Sequence, residues 1–153
     1  IKKATKSGYH LVFDDGLDMY WNDILTPNLL QKHGVKPVHS LEEISLLKER
    51  FPDNIKQVNI YHNDKLVAGT TLFLTDLVAH AQYISGSELG RNGGFLDLMF
   101  KELIEADFLS QKYFDFGIAN EQEGKALNMG LTEWKESFGA TTSCHFFYEL
   151  TLN

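Results

Sequence analysis

His80 and Gln82 lie two residues apart in a run of strand-forming residues, 77–85, so a regular strand puts both on one face. A neutral imidazole there can accept a proton and a carboxamide can orient a carbonyl. The structural alternative is a pair of hydrogen-bonded polar groups in a mostly buried strand. The same period sets Val78 and Ile84 with them, and turns Ala79, Ala81 and Tyr83 the other way, where Tyr83 reads as packing. Asp115 stands between aromatics in Phe114-Asp115-Phe116-Gly117. A lone carboxylate in such a place must be hydrogen-bonded or paired; it either binds an amine or caps the next turn. Asn120 and Glu121 follow at the strand's C-terminal end, where α/β proteins commonly bind ligands. Glu121 reads as a base or amine anchor, or as a solvated loop charge. Asn128 and Lys135 are seven apart on the last helix and so roughly on one face, with Lys135 a partner for an anionic group or a surface cation.

Other chemistries are excluded or unsupported. Cys144 is the only cysteine, so no internal disulfide can form. A strand points Cys144 and the adjacent His145 to opposite faces, which removes the obvious base from a cysteine nucleophile. His10, His33, His39, His62 and His145 lack metal-ligand spacing, so no metal site is expected. A net charge of −7 disfavours nucleic acid and anionic membrane as partners, since those affinities come from clustered Lys and Arg. The one basic cluster is Lys2, Lys3 and Lys6. No apolar run approaches the ~20 residues of a membrane-spanning helix, and no apolar stretch follows the charges of the first residues as it would in a signal peptide. A cytosolic protein is expected. The opening Ile1, in place of Met, reads as that of a fragment or processed chain.

The elements that must position these residues are legible as periods and stops. Residues 9–13 read as a strand ended by Asp14-Asp15-Gly16, and 17–25 as a helix with Trp21, Ile24 and Leu25 on one face. Thr26-Pro27 opens a separate helical piece that Gly34 ends. Ser40 and Glu43 have capping-box spacing before a helix carrying Leu41, Ile44, Leu47 and Phe51. Strands at 55–62 and 65–75 flank a hairpin turn at Asn63-Asp64, and the strand 77–85 follows. A glycine-rich turn, Ser85 to Gly94, leads into a helix at 95–109 with the stripe Leu96, Met99, Phe100, Leu103 and Ile104. A strand at 113–117, a helix at 123–138 with Gly139 as its stop, and a closing strand at 141–152 complete the order. The pattern is a central sheet with helices on its faces, hence α/β with a mixed, mostly antiparallel sheet.

That order, with the turn 85–94 between the fourth strand and the long helix, resembles the GNAT-type acyltransferase fold. The stretches Pro37-Val38-His39-Ser40-Leu41, Ala79-His80-Ala81-Gln82-Tyr83-Ile84, Phe114-Asp115-Phe116-Gly117, Asn120-Glu121 and Trp134-Lys135-Glu136-Ser137-Phe138-Gly139 are similar to the Fem-like, polysaccharide-associated branch of that superfamily. The opening Ile1-Lys2-Lys3-Ala4-Thr5-Lys6-Ser7-Gly8 resembles the segment linking two tandem lobes there. The resemblance spans nearly all of the chain. It implies an inter-lobe linker at 1–8, a GNAT-like domain at 9–153, and a missing N-terminal lobe.

The resemblance also implies a reaction: transfer of an acyl or aminoacyl group to the amine of a small molecule, an amino sugar or a cell-envelope precursor. The fourth and fifth strands would part and expose backbone to the donor. Ser85, Gly90, Arg91, Asn92, Gly93 and Gly94 would meet the pyrophosphate of acyl-CoA (acetyl-CoA), as helix starts and glycine turns bind anions. His80, Gln82, Asp115 and Glu121 would be catalytic, and Asn120, Asn128 and Lys135 would bind substrate. The turn departs from the CoA-binding pattern: Leu96 occupies the second glycine slot, and Glu88 adds a negative charge. Fem-type members take the acyl group from aminoacyl-tRNA instead, a donor that the acidic balance of this lobe does not support. The alternative implied function is a non-catalytic lobe that binds substrate or scaffolds a larger enzyme.

Overall fold

The computed structural model describes residues 1–105, 110–122, 124–146 and 148–151. Contacts divide the chain into two compact units, Ile1–Gly117 and Ile118–Asn153.

The first unit is built on a five-stranded sheet in the order β1-β2-β3-β4-β5. Its strands are β1 (His10–Phe13), β2 (Ile55–His62), β3 (Lys65–Leu74), β4 (Val78–Gly86) and β5 (Tyr113–Asp115). β1 to β4 pair antiparallel and β5 joins β4 in parallel. The hairpin turn is where the sequence put it: Asn63 and Asp64 both take positive φ, 49° and 58°, as the tight turn between twisted strands requires.

Helices cover both sheet faces. On one side lie α2 (Leu17–Met19), a π-helical turn Tyr20–Leu25, α3 (Thr26–His33) and α4 (Leu41–Arg50). Tyr20, Trp21, Ile24 and Leu25 pack there with Ile44, Ile55 and Tyr83 in one cluster. On the other side α6 (Phe95–Glu105) buries Phe95, Leu98, Met99, Phe100 and Leu103. Residues 106–109 of the expected helix lie outside the described residues. At α4 the Ser40 hydroxyl accepts Glu43 N–H and the Glu43 carboxylate accepts Ser40 N–H, the capping box in full.

Three expectations are corrected. Helix α3 runs to His33 and ends at Gly34 as expected, but Thr26 is no non-helical cap: its φ and ψ of −61° and −47° are helical, and its N–H reaches back five residues to Trp21 O. Pro27, which has no N–H, thus sits where the bonding changes from the wide turn to α3. Within the expected linker 1–8, residues 2–6 form α1 (Lys2–Lys6) with Ala4 fully buried. The turn 85–94 contains a short helix, α5 (Glu88–Asn92), capped by Ser87. Finally, Tyr83 does not share a face with Ala79 and Ala81. Thr71 pairs with Tyr83 and Leu72 with Ala81, so Gln82 has no partner on β3 and forms a bulge. One inserted residue reverses the alternation beyond it, and Tyr83 joins the cluster at Trp21.

The turn after β1 is held by charge. Asp14, at φ 62°, places its carboxylate 2.7 Å from Lys48 of α4 and 2.9 Å from Lys56 of β2. Burial pushes the Asp14 carboxyl up, but the hydrogen bonds from the two lysines outweigh it and hold it below the usual range.

The second unit has a two-stranded hairpin, β6 (Asn120–Glu121) and β7 (Ala126–Leu127), and helix α7 (Met129–Glu136). The expected helix 123–138, whose residue 123 lies outside the described ones, therefore begins later. The hairpin takes its first residues, and the Asn128 side chain caps α7 by accepting Leu131 N–H. The expected closing strand is not formed among described residues 140–146 and 148–151, which expose Phe146, Tyr148 and Leu150. An alternating pattern makes a strand only where a neighbouring strand takes its hydrogen bonds.

Candidate functional site

The parallel ladder between β4 and β5 has three pairs and ends at His80↔Asp115, whereas β4 runs on to Gly86. The pairing stops where the polar residues of the sequence pattern stand, at the end of β5. His80 pairs with Phe73 on its other side, so its imidazole lies on the face of the π-helical turn. There Nδ1 is 2.7 Å from Asp115 Oδ2 and Nε2 is 3.1 Å from Gln82 Oε1. The second carboxylate oxygen, Oδ1, accepts the Gly117 N–H at 2.8 Å, which fixes the Asp115 rotamer. The His80 side chain is 33% exposed and that of Asp115 52%, so this pair is held and still reachable.

Gly117 closes the site from one side. Its φ is 70°, and a Cβ there would come within 3.3 Å of His80 Cε1. Glycine is required twice over, for the left-handed backbone and for the space beside the imidazole.

Beyond the bulge, Tyr83 Oη accepts the His39 N–H at 3.2 Å and lies 2.6 Å from His39 Nδ1. Trp21 Nε1 donates to His39 O at 3.3 Å, anchoring the 34–40 loop on the π-helical turn. Burial raises the Tyr83 phenol, while the His39 amide and the Gln82 side chain pull it partly back. Neither Tyr83 nor His39 stands out as a site residue in the sequence. Tyr83 was hidden by the bulge, and His39 carried no signal beyond its place in Pro37-Val38-His39-Ser40-Leu41.

The turn 85–94 spends its donors internally. Gly90 N–H goes to Ser87 Oγ, Arg91 N–H to Ser87 O, Gly93 N–H to Leu89 O and Gly94 N–H to Arg91 O. A Cβ at Gly90 would collide with the Val67 carbonyl, so that glycine serves close packing of α5 on β3. Arg91 gives one guanidinium nitrogen to Gly86 O and to Asn28 Oδ1, and Asn28 donates to Ser85 Oγ at 2.8 Å. Asn92 ends α5. A pyrophosphate held by this turn must therefore draw the amides of Gly90, Arg91, Gly93 and Gly94 away from present acceptors.

The second unit keeps its own polar set. Asn128 Nδ2 donates to Glu121 Oε1 at 2.6 Å across the hairpin that also holds Asn120. Lys135 is 7% exposed and donates to Ile118 O at 2.6 Å, so it is not the surface cation of the alternative reading. Among the described residues no three His, Cys, Asp or Glu side chains gather as a metal site requires.

No family model matches the sequence, and no curated protein matches it. Solved structures do. A possible acetyltransferase from Clostridium difficile 630 superposes with a TM-score of 0.67 at 14% identity, over 95% of this chain and 98% of that one. Glucosamine-6-phosphate N-acetyltransferase from Arabidopsis thaliana gives 0.59 at 11% identity, over 94% and 98%. Ribosomal-protein-alanine N-acetyltransferase from Brucella melitensis biovar Abortus 2308 gives 0.57 at 12% identity, over 95% and 100%. At these identities the likeness is one of fold, and the chain has the mixed α/β fold of the GNAT-type acetyltransferases.

Proposed function

We propose that the chain is an N-acyltransferase in which His80 receives the proton of the attacking amine. The observation that supports this most is His80 held between Asp115 and Gln82 at the last pair of the β4–β5 ladder. A neutral imidazole with Nδ1–H on the Asp115 carboxylate has its lone pair at Nε2. The amine nitrogen attacks the acyl carbonyl carbon, a C–N bond forms, and the carbonyl pair moves to oxygen. The amine proton passes to His80 Nε2, and Asp115 stabilises the imidazolium. Collapse of the oxyanion breaks the bond from the acyl carbon to the donor's sulfur or oxygen, which leaves with the pair and takes a proton. Main-chain groups of β4 beyond His80 lie outside the β4–β5 ladder and are suited to meeting the donor and the oxyanion.

The donor is an activated acyl thioester or ester, acyl-CoA among them, with Arg91 as the donor-side cation and Ser85, Asn92, Gly93 and Gly94 around it. The acceptor is a small-molecule amine such as an amino sugar or a cell-envelope precursor, with Glu121, Asn120, Asn128 and Lys135 as acceptor-side residues. We place the chain in the Fem-like branch, in the cytosol, as the second lobe of a longer protein. The named motif stretches support that placement, and the sequence encoded upstream of Ile1 tests it.

The experiment is direct. The protein is incubated with acetyl-CoA, or with an aminoacyl ester, and a panel of amines, and the amide product is sought by mass. Product from either donor that is lost in Arg91→Ala supports the donor side as drawn. Product from neither donor rejects catalysis by the isolated chain. One observation favours a second reading, a substrate-binding lobe without catalysis: the bonded amides of the turn 85–94. In that case an amino sugar still raises the Tm, and Arg91→Ala leaves the rise unchanged.

A further inference from the structure

Asn28 and Arg91 meet at the far end of β4, beyond its last pair with β5. The Ser87 N–H donates to Val67 O of β3, and the peptide between Gly86 and Ser87 is trans, so Gly86 O points away from β3, toward the edge that β5 leaves uncovered. That carbonyl accepts Asn28 Nδ2, at 2.8 Å, and Arg91 Nη1. Asn28 spends its whole amide here: Nδ2 also donates to Ser85 Oγ at 2.8 Å, and Oδ1 accepts from the same Arg91 nitrogen at 3.4 Å. Among the described residues the Arg91 side chain is thus bonded through Nη1 alone. Its Nε and Nη2 hydrogens, which point the same way as a fork, remain for a bidentate acceptor. No ion pair among the described residues includes Arg91. A half-buried guanidinium with only neutral partners is short of an anion.

We propose that Arg91 binds a phosphate of the acyl donor through its Nε–Nη2 edge, and that Asn28 is the positioning residue that reserves this edge by holding Nη1 on Gly86 O. The anion contact is then made by a side chain in place of helix-start amides. The amides of Gly90, Arg91, Gly93 and Gly94 keep their present acceptors. From His80 to Gly86 the strand advances roughly 15–20 Å, so a small amine reacting at His80 does not reach the fork, whereas a long donor does. Lys32, one helical turn after Asn28 on α3, adds a second positive charge on that helix face, and Glu88, three residues before Arg91, opposes it. That the anion belongs to a donor rests on the acyl-transfer reading above, whereas the anion site does not.

The test is 15N NMR of the arginine Nε–H groups in the whole chain, titrated with inorganic pyrophosphate and with CoA, beside calorimetry of the same mixtures. Arg50 and Arg91 are the only arginines, so Arg91→Lys identifies the Arg91 signal by its loss. That signal moves as either ligand is added. Arg91→Lys keeps the charge without the fork and weakens the binding of both ligands by about tenfold. Asn28→Ala weakens it by about three- to tenfold and adds nothing in the Arg91→Lys background, as expected of residues acting through one another. If Asn28→Ala loses the near-ultraviolet circular dichroism of the wild type, Asn28→Asp takes its place, since its carboxylate pairs with Arg91 and weakens binding in the same direction. An Arg91 signal that stays still, or equal affinities in folded wild type and variants, overturns the inference. Binding at Arg91 without amide formation from acetyl-CoA leaves the anion site standing and rejects the acyl-transfer reading. Amide formation from acetyl-CoA with an unmoved Arg91 signal does the reverse.

Discussion

Asp14 and Asp115 stand at opposite margins of the sheet in the first unit, each bonded to basic side chains, and they differ in what those partners can do. Asp14 meets Lys48 and Lys56, of a side-chain type whose ordinary charge change lies well above the physiological range. Such a clamp ties α4 and β2 to the turn after β1 and changes nothing between pH 5 and 8. Asp115 meets His80, the one side-chain type whose ordinary charge change falls in that range. Its other oxygen is fixed by the Gly117 N–H, and the imidazole's far nitrogen faces the Gln82 amide. A carboxylate between two ammonium groups ties elements together, whereas one paired with an imidazole has the partner that the proposed proton transfer needs.

Substitutions break this contrast in order of size. Asp115→Asn removes the charge that stabilises the imidazolium and is expected to lower the rate of amide formation by about 10- to 100-fold. Asp14→Asn leaves that rate within about twofold, and steady-state assays of both variants check the difference. Gly117→Ala must take φ 70° with a methyl group against the His80 ring. It is expected to cost on the order of 1–2 kcal/mol in urea unfolding and to lower activity with it.

The Asp14 effect is smaller and is read in stability. The carboxylate is 39% exposed, so solvent screening limits the pair to a few tenths of a kcal/mol. Its folded pKa lies below the unfolded value. The stabilisation is therefore fully present above the ordinary Asp pKa of about 3.9 and is lost as pH falls through the lower folded value. Wild type and Asp14→Asn should differ in urea midpoint at pH 6 and converge toward pH 2.

Much of this was readable where cause and effect are close in sequence. Ser40 and Glu43 cap α4 through groups three residues apart, and Asn63-Asp64 needs only its own backbone preference to turn the hairpin. The meeting of His80 with Asp115 was legible in part: each falls near a strand end, but a residue pattern cannot say that the ladder stops at that pair. The Gln82 bulge could not be seen at all, since it is defined by which β3 residue lacks a partner, and with it went Tyr83 and His39. The π-helical turn at Tyr20–Leu25 was hidden in the same way: local spacing suits an ordinary helix, and the wide turn shows only in which carbonyl each N–H reaches. The donors of the turn 85–94 looked available because Gly90, Gly93 and Gly94 suggest exposed amides, whereas Ser87 and the carbonyls of α5 take them up.

The most direct measurement is the rate of amide formation by wild type and by His80→Gln, with Tm recorded for both. If His80 receives the amine proton, the variant loses about 10²- to 10⁴-fold in rate at an unchanged Tm. Equal rates from two folded proteins would contradict the role assigned to His80 and leave the His80–Asp115 pair as a feature of the fold alone.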